Sequence, residues 1–362
     1  MRVTYPIMGE TPILLSTIFQ EIGIETVVPP PITQETIAIG AKHAPELACF
    51  PFKVCLGSYI QAVRSGADTI LMAGGCGPCR FGVYAEVQRS IMRSLGYDVD
   101  FVILEPPASE GPRFWRELHR FLGWKRLLRL PSATYLAWRK LLFLDTLGDC
   151  SRILLPREVH PGSMEKLIQS YRRKLEFLST VGEIRILSAR LLEELAAFPL
   201  DREKPLLRFK VGGEIYMVLE PAVNYRTESV LASLGVEVHR AISISHWVRE
   251  NLLSFLYQRK ISHELAPAKP YLRCFVGGHA QITVADAVKA GMNRMDGMVQ
   301  IMPFTCMPEL VAQSILPEIG RDFKLPVLTL VLDEQSGEAG VQTRLEAFVD
   351  LARRRRSLEA GA

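Results

Sequence analysis

The strongest constraint on the fold is an alternation of short apolar runs with amphipathic segments, found at both ends of the 362-residue chain. Short apolar runs predict buried strands, whereas apolar residues three and four positions apart predict helices. In residues 1–105 the predicted strands are 2–7, 25–28, 69–73 and 99–104, and the predicted helices are 11–22, 33–43, 52–65 and 81–95. Strands that alternate with helices form a parallel sheet covered on both faces.

The rest of the chain divides into a helical middle and a second alternating region. Residues 106–205 predict one helix after another, which we interpret as a helical insertion or cap. From residue 206 to residue 362 the predicted strands are 206–211, 236–240, 297–302 and 326–332, and the predicted helices are 224–234, 246–258, 308–320 and 343–355. The sequence therefore predicts an α/β protein with two Rossmann/flavodoxin-like open parallel-sheet domains, 1–105 and 206–362, and the helical insertion between them.

Composition narrows the class of protein. Hydrophobic residues make up 48% and charged residues 23% of the chain, which is a globular balance, and the net charge is +4. The basic residues are spread along the chain, and the run Arg353–Arg356 is interpreted as a solvated helical turn, so no nucleic-acid surface is predicted. The long apolar stretch Leu127–Leu147 contains four charged residues and does not predict a membrane span. No secretion signal is recognised, so we expect a cytoplasmic protein.

Cysteine is the residue type that points to chemistry. Seven cysteines in a cytoplasmic protein favour metal binding or redox chemistry over structural disulfides. Cys76 and Cys79 form Cys-Gly-Pro-Cys between a predicted strand and a predicted helix, and Cys49 and Cys306 each precede a predicted helix. Helix starts carry free N–H groups and partial positive charge, which stabilise thiolates. Because ligands bind at the carboxyl ends of open parallel sheets, the four cysteines predict one site in the crevice between the two domains.

Three kinds of site fit these cysteines. Thiolates gathered at one point repel each other unless a cation separates them, and cysteine thiolates are the usual ligands of iron–sulfur clusters. Zinc also accepts four thiolates, but structural zinc sites usually contain two close cysteine pairs, and here only Cys76 and Cys79 form one. Cys-Gly-Pro-Cys is also a dithiol motif of thioredoxin-like oxidoreductases, which would leave Cys49 and Cys306 unexplained. We favour the cluster and keep zinc and the dithiol as alternatives.

Other residues near these turns are candidates for a role at the site. Arg80, Tyr84 and Glu214 are candidate catalytic residues; solvation of Arg80 and core packing of Tyr84 are the competing interpretations. Cys55 is predicted to be a small buried core residue, and Cys150 is predicted to lie in a loop. Two residues beside the Gly-Gly pair at 277–278 are noted without an assigned role: Cys274 and His279.

Several short motifs follow one another in a fixed order along the chain. They are Cys-Phe-Pro-Phe-Lys at 49–53, Cys-Gly-Pro-Cys-Arg-Phe-Gly-Val-Tyr at 76–84, Gly-Gly-Glu-Ile-Tyr at 212–216, Pro-Phe-Thr-Cys-Met-Pro-Glu at 303–309, Asp-Glu-Gln-Ser-Gly-Glu-Ala-Gly at 333–340 and Thr-Arg-Leu-Glu-Ala-Phe-Val-Asp at 343–350. In these motifs the chain resembles the 2-hydroxyacyl-CoA dehydratase-like iron–sulfur proteins, which include the acyl-CoA dehydratase activase-related (CoA protein activase) and double-cubane-cluster proteins. The resemblance covers nearly the whole chain except the helical middle.

The resemblance implies an oxygen-sensitive protein with a low-potential iron–sulfur cluster, of the [4Fe–4S] type or, as an alternative, the double-cubane type. It implies that Cys49, Cys76, Cys79 and Cys306 are candidate ligands, although dehydratase subunits use three cysteines and leave one iron open. It also implies a partner, an ATP-dependent activase that acts as the reductase; a homo- or heterodimer is left open. No Gly-x-x-x-x-Gly-Lys-Ser/Thr loop occurs here, so ATP is expected on another polypeptide.

The predicted function is therefore low-potential electron transfer or reduction, with the chain acting as an oxidoreductase or dehydratase-like component that depends on a partner ATPase. Three alternatives accompany this prediction. The chain is a 2-hydroxyacyl-CoA dehydratase-type subunit that binds an acyl-CoA at an open iron, a non-catalytic cluster scaffold, or a thiol–disulfide oxidoreductase that uses Cys76 and Cys79.

Overall fold

The computed structural model describes residues 1–75, 78–105, 107–240, 242–251 and 262–360. These residues contain two parallel sheets of four strands each, which confirms the predicted α/β class. In each sheet the first strand in the chain lies between the second and the third, and the fourth lies at the far edge. This open parallel arrangement is the one expected of two Rossmann/flavodoxin-like domains.

The first sheet is built by the N-terminal part of the chain. Its strands are β1 (Arg2–Thr4), β2 (Glu25–Thr26), β3 (Thr69–Ala73) and β4 (Asp100–Leu104), in the order β2-β1-β3-β4. Its helices are α1 (Thr11–Ile22), α2 (Gln34–His43), α3 (Phe50–Arg64) and α4 (Tyr84–Ser94), and a 3-10 turn at Arg80–Val83 precedes α4. The strand β2 is shorter than predicted because three prolines follow at 29–31, and proline cannot donate to a strand ladder.

The helical middle packs against both sheets. It consists of α5 (Pro107–Leu127), α6 (Leu130–Leu154), a 3-10 turn at Leu155–Arg157, α7 (Ser163–Glu176) and α8 (Val181–Ala196). Helix α6 packs against α1 of the first half, and its Leu141 lies in one apolar cluster with Leu219 and Ile244 of the second half. Cys150 lies inside α6, so its prediction as a loop residue is wrong. The domain boundaries at 105 and 205 stay predictions.

The second sheet repeats the plan of the first. Its strands are β5 (Leu207–Gly213), β6 (Val236–Arg240), β7 (Gly297–Pro303) and β8 (Val327–Leu332), in the order β6-β5-β7-β8. Its helices are α9 (Ile215–Leu219), α10 (Thr227–Ser233), α11 (Ile244–Asn251), α12 (Ala280–Met292), α13 (Met307–Asp322) and α14 (Glu338–Ala360). The predicted helix at 246–258 is found up to Asn251, and its remainder lies outside the described residues.

Helix α12 was not predicted from the sequence. Its segment contains the β-branched residues Ile282, Thr283, Val284 and Val288, which restrict side-chain rotamers in a helix and lower its propensity. One face of the helix is nevertheless fully buried in an apolar cluster with residues of α13. Tertiary packing therefore outweighs local propensity at this helix.

One apolar core joins the two sheets. Phe52 and Tyr59 of α3 belong to the same buried cluster as Met217 of α9 and Ile301 of β7. Helix α3 is buried along almost its whole length, with twelve of its fifteen residues inaccessible. The two halves are thus fixed to each other by burial around α3, with the carboxyl ends of both sheets near this helix. No described helix is long and apolar enough to cross a membrane.

Two glycines allow α2 and α3 to touch along their backbones. A Cβ atom built on Gly57 would lie 1.9 Å from the carbonyl oxygen of Thr36, and one on Gly40 would lie 1.7 Å from that of Lys53. We expect Gly57→Ala to lower the free energy of unfolding by about 2 kcal/mol, because the helices must separate. Urea unfolding followed by circular dichroism measures the change.

Gly182 supplies the matched control for this prediction. It lies in α8, where the nearest atom to an added Cβ is 4.0 Å away, so Gly182→Ala is expected to leave stability unchanged or slightly higher. Equal unfolding midpoints for Gly57→Ala and the unaltered protein would show that the two helices do not make this contact.

Candidate metal centre

Three cysteines lie at the residue directly before a helix. Cys49 is the N-cap residue of α3, Cys79 that of the 3-10 turn before α4, and Cys306 that of α13. Each has an extended backbone conformation, and Pro51 and Pro308 follow in the first turns of α3 and α13, a position that suits proline. Sulfur atoms at these positions face the free N–H groups of a helix start. The fourth candidate, Cys76, lies outside the described residues.

Short polar contacts tie the three cysteine-bearing loops together. The carbonyl oxygen of Leu47, two residues before Cys49, accepts hydrogen bonds from Arg80 Nη1 at 2.8 Å and from Thr305 Oγ1 at 3.4 Å. Arg80 directly follows Cys79, and Thr305 directly precedes Cys306. One carbonyl group therefore links segments from both sheets around the cysteines.

A glycine turn closes the same region from the second half of the chain. A Cβ atom on Gly277 would lie 3.0 Å from Pro78 Cγ and 3.1 Å from the backbone nitrogen of Cys79, and one on Gly278 would lie 3.1 Å from Pro308 Cγ. The turn therefore contacts both the Cys79 loop and the start of α13. A side chain at either position would crowd these neighbours, and both residues have positive φ angles, 91° and 49°, which favour glycine.

Glu214 lies among these loops at the carboxyl end of β5. It is the N-cap residue of α9, its carboxylate accepts a hydrogen bond from the backbone N–H of Met217 at 2.9 Å, and its own N–H donates to the carbonyl of Ile301 at 3.0 Å. Burial raises the pKa of Glu214 to about 7, although N–H groups of Met217 and Tyr216 lower it. A carboxyl group of this kind changes its charge near neutral pH.

The thiols at the site have raised pKa values. Burial raises the pKa of Cys49 to about 11, and the Glu214 carboxylate adds to the rise. Burial and then Glu214 raise the pKa of Cys306 further still. Burial and Glu214 also raise the pKa of Cys79, whereas Arg80 and the N–H of Phe81 lower it. The mutual electrostatic effects show that the three thiols and Glu214 share one region.

The thiols of this region need added positive charge before they lose their protons. The charged groups that act most strongly on Cys49 and Cys306 are carboxylates and thiols. Without added positive charge these thiols stay protonated at neutral pH, because their pKa values lie well above 7. A metal centre would supply that charge, and the thiols could then serve as thiolate ligands.

Tyr84 faces the site rather than solvent. Its hydroxyl group is hydrogen-bonded to Cys49 Sγ, and its ring packs edge-on against Phe52 with the ring centroids 5.0 Å apart. Burial, followed by the charge of Cys49, raises the pKa of Tyr84 well above its ordinary value. The hydroxyl group therefore stays protonated and can donate to a thiolate. The ring is part of the core, as the competing interpretation has it, and a catalytic role of Tyr84 stays a prediction.

The other residues noted in the sequence lie around this region and are weaker candidates for a chemical role. Cys55 is buried in the core of α3, as predicted. Arg80 is exposed and uses its guanidinium to hold the Leu47 carbonyl. Cys274 is exposed, three residues before Gly277. Burial, and then His246, lowers the pKa of His279 to about 4, so this histidine is neutral at physiological pH.

Sequence reasoning missed a buried carboxyl group behind Cys306. Glu309, in the first turn of α13, is completely inaccessible and accepts hydrogen bonds from Thr283 Oγ1 at 3.0 Å and Gln300 Nε2 at 2.8 Å. Gln300 in turn accepts from Thr329 at 2.9 Å. A glutamate in the first helical turn usually signals helix capping, so only the fold reveals that this one is buried.

The raised pKa of Glu309 predicts a pH-dependent stability. Burial raises this pKa from 4.5 to about 7, so between these values the folded chain binds a proton that the unfolded chain releases. The free energy of unfolding should therefore fall as pH rises through that window. We expect Glu309→Gln to flatten this part of the profile, measured as urea midpoints at a series of pH values.

Glu346 provides the control for this measurement, because it is an exposed glutamate of α14. Glu346→Gln should keep the slope of the unaltered protein, and Glu214 contributes to the slope in all three proteins. Identical slopes for Glu309→Gln and Glu346→Gln would show that Glu309 does not hold the proton.

A buried ion pair lies on the other side of the cysteines. Lys53 Nζ of α3 contacts Glu334 Oε1, which follows β8, and only 6% of the lysine side chain is exposed. The pair joins the motif at 49–53 to the motif at 333–340. It connects the two halves of the chain one helical turn from Cys49.

The described residues do not contain a site for a single metal ion. Among them, no three cysteine, histidine or acidic side chains lie close enough together to bind one ion. A cluster of several iron atoms needs a wider spacing, because each thiolate binds a different iron. Three cysteines from three loops offer the thiolate ligands that such a cluster needs. No basic side chain acts strongly on Cys49 or Cys306.

Comparison with known proteins adds one finding about the family. The family model of the CoA enzyme activase uncharacterised domain matches residues 7–73, a segment that includes Cys49 and Lys53 and ends at the last residue of β3. No curated protein matches the chain. Residues 7–73 are therefore similar to a domain of CoA enzyme activases, which supports the resemblance to the acyl-CoA dehydratase activase-related proteins that the motifs indicate.

Proposed function

We propose that this chain holds an iron–sulfur cluster between its two sheets and exchanges low-potential electrons with a separate ATP-dependent activase. One observation carries the proposal: three cysteine-bearing helix starts from both halves of the chain meet around Glu214 and share the Leu47 carbonyl. Free N–H groups at neighbouring helix starts favour an anionic group. A cluster with thiolate ligands carries net negative charge and meets that requirement.

The residues have separate tasks in this proposal. Cys49, Cys79 and Cys306 provide thiolates, and Cys76 remains a candidate ligand from its motif. The Tyr84 hydroxyl donates to the sulfur of Cys49 and partly offsets its charge. When bound, the cluster supplies one-electron transfer at low potential.

The groups around the cysteines influence the reduction potential of the proposed cluster. Hydrogen bonds to ligand sulfurs raise the potential of a cluster, whereas nearby negative charge lowers it. Glu214 acts on all three described thiols, so its ionised form favours a low potential. The apolar core around α3 limits the access of water from behind Cys49.

The mouth of the site offers a surface for an electron donor. Leu47, Phe275 and Phe304 are each more than half exposed, and each belongs to a loop that carries or contacts a cysteine. Exposed apolar side chains near a functional site are typical of transient protein interfaces. The activase domain found at residues 7–73 supports a donor of the ATP-dependent class.

Anaerobic purification followed by metal and sulfide analysis tests the proposal. We expect a brown protein with iron and acid-labile sulfide in equal amounts, about four of each per chain for one cubane cluster. Reduction with dithionite should give an electron paramagnetic resonance signal. ATP hydrolysis should require the added activase, so ATPase activity of this chain alone would contradict the assignment of partners.

Three outcomes would each replace the proposal by one of its rivals. A colourless protein with stoichiometric zinc would make the site a zinc centre. Insulin reduction by the metal-free protein that disappears in Cys76→Ser would make the chain a thiol–disulfide oxidoreductase. A change of the resonance signal on adding an acyl-CoA would instead assign the chain as a dehydratase-type subunit.

A further inference from the structure

The turn between α5 and α6 presents large apolar side chains to solvent. Trp124 is 70% exposed, Leu128 is 80% exposed, and Tyr135, on the first turns of α6, is 56% exposed. The backbone folds tightly here, since the N–H of Leu128 donates to the carbonyl of Trp124 at 3.2 Å. Exposure of two aromatic rings and a leucine at one turn is unfavourable in water unless another surface covers them.

Positive charge surrounds these apolar side chains. Residues 124–135 contain three cations, Lys125, Arg126 and Arg129, and no acidic residue. Lys125 and Arg129 are exposed at the turn, and neither forms an ion pair with another described residue. We call Trp124, Lys125, Leu128, Arg129 and Tyr135 the tip surface.

The tip surface contributes little to the packing of the folded chain. The inner side of α5 packs Leu118, Phe121 and Leu122 into an apolar cluster with Val3 and Phe19 of the first half. Of the tip surface, the Trp124 ring packs edge-on against His119 with the ring centroids 4.7 Å apart and still remains 70% exposed. The composition of this surface calls for an explanation outside the folded core.

We propose that the tip surface docks on an anionic phospholipid membrane. Tryptophan and tyrosine favour the headgroup level of a bilayer, and an exposed leucine gains by reaching the acyl boundary. Lysine and arginine beside them gain from the negative surface potential of anionic lipids. We choose a membrane as the partner because the turn is cationic and the surface of an anionic bilayer is negatively charged.

Leu128, the most exposed side chain of the tip surface, favours a membrane over other anionic partners. Nucleic acids offer stacking partners for tryptophan and phosphates for arginine, but they give an aliphatic leucine at the apex no favourable contact. A bilayer accommodates Leu128, Trp124 and the flanking cations together. The docking is peripheral, because no described helix can span a membrane.

Co-sedimentation of the intact protein with vesicles tests the proposal. We expect binding to phosphatidylcholine vesicles that contain phosphatidylserine, little binding to pure phosphatidylcholine, and weaker binding at high salt. Lys125→Gln with Arg129→Gln should reduce the partition coefficient about 25-fold, at roughly fivefold per cation. Trp124→Ala with Leu128→Ala should also lower it and abolish a blue shift of tryptophan fluorescence on binding.

The same helical middle supplies matched controls. Arg185→Gln with Arg190→Gln removes two exposed cations of α8, and Phe177→Ala removes a side chain that is 84% exposed. Both controls should bind vesicles like the unaltered protein, and circular dichroism checks the fold of every variant. No binding to phosphatidylserine vesicles, or equal losses in tip and control variants, overturns the proposal. Binding of the tip to a polynucleotide or to an acidic protein but not to vesicles overturns it as well.

Discussion

Cys306→Ser is expected to remove most of the iron from anaerobically purified protein, from about four atoms per chain to below about one. The substitution removes the described thiolate that the second sheet contributes, and it leaves the rest of the centre open to water. Serine is a better N-cap than cysteine, so α13 should keep its start and the chain should fold. Iron and sulfide analysis with circular dichroism measures both effects.

Cys150→Ser is the control for this result. Cys150 lies inside α6, away from the cysteine-bearing loops, and its loss should leave the iron content unchanged. If Cys306→Ser kept full iron and an unchanged resonance signal while folding normally, Cys306 would not be a ligand, and the link between the two halves through the cluster would be lost.

Glu334→Leu is expected to lower the free energy of unfolding by about 3 to 5 kcal/mol, because it leaves the charge of Lys53 buried and unpaired. Lys53 is only 6% exposed and Glu334 is 21% exposed. Adding Lys53→Met should recover most of the loss, since two apolar side chains of similar volume can replace a buried ion pair. Urea unfolding of the anaerobic protein, followed by circular dichroism, gives the three values.

Asp350→Asn breaks an exposed pair with Arg353 and serves as the control, with an expected loss below about 1 kcal/mol. A loss for Glu334→Leu as small as that of Asp350→Asn would show that Lys53 reaches solvent. Failure of Lys53→Met to restore stability would show that Glu334 acts through some other contact.

The sequence predicted the elements whose pattern is local. Helix α1 and strand β6 begin and end at the predicted residues, because the apolar spacing and the flanking glycines mark them clearly. The position of Cys306 before a helix followed from the proline at 308, which suits the first turn of a helix, and that of Cys49 from the helix predicted at 52–65. Both predictions depended on residues a few positions apart.

Features that depend on distant residues were not predictable. Lys53 and Glu334 are separated by 281 positions, and no local pattern shows that they pair. In the sequence Glu309 is an ordinary first-turn glutamate. Only the fold shows that Thr283 and Gln300 donate hydrogen bonds to it. Helix α12 was not predicted because its β-branched residues have low helix propensity, whereas tertiary packing stabilises the helix. These cases share one cause, which is that tertiary contacts decide them.

In the proposed function, sulfur atoms from both halves of the chain bind one inorganic centre. An anomalous difference map at the iron absorption edge, from crystals grown without oxygen, tests it most directly. Iron should appear within bonding distance of the sulfur atoms of Cys49, Cys79 and Cys306. A map in which no iron lies beside Cys306, or in which the peaks appear at the zinc edge instead, would contradict it.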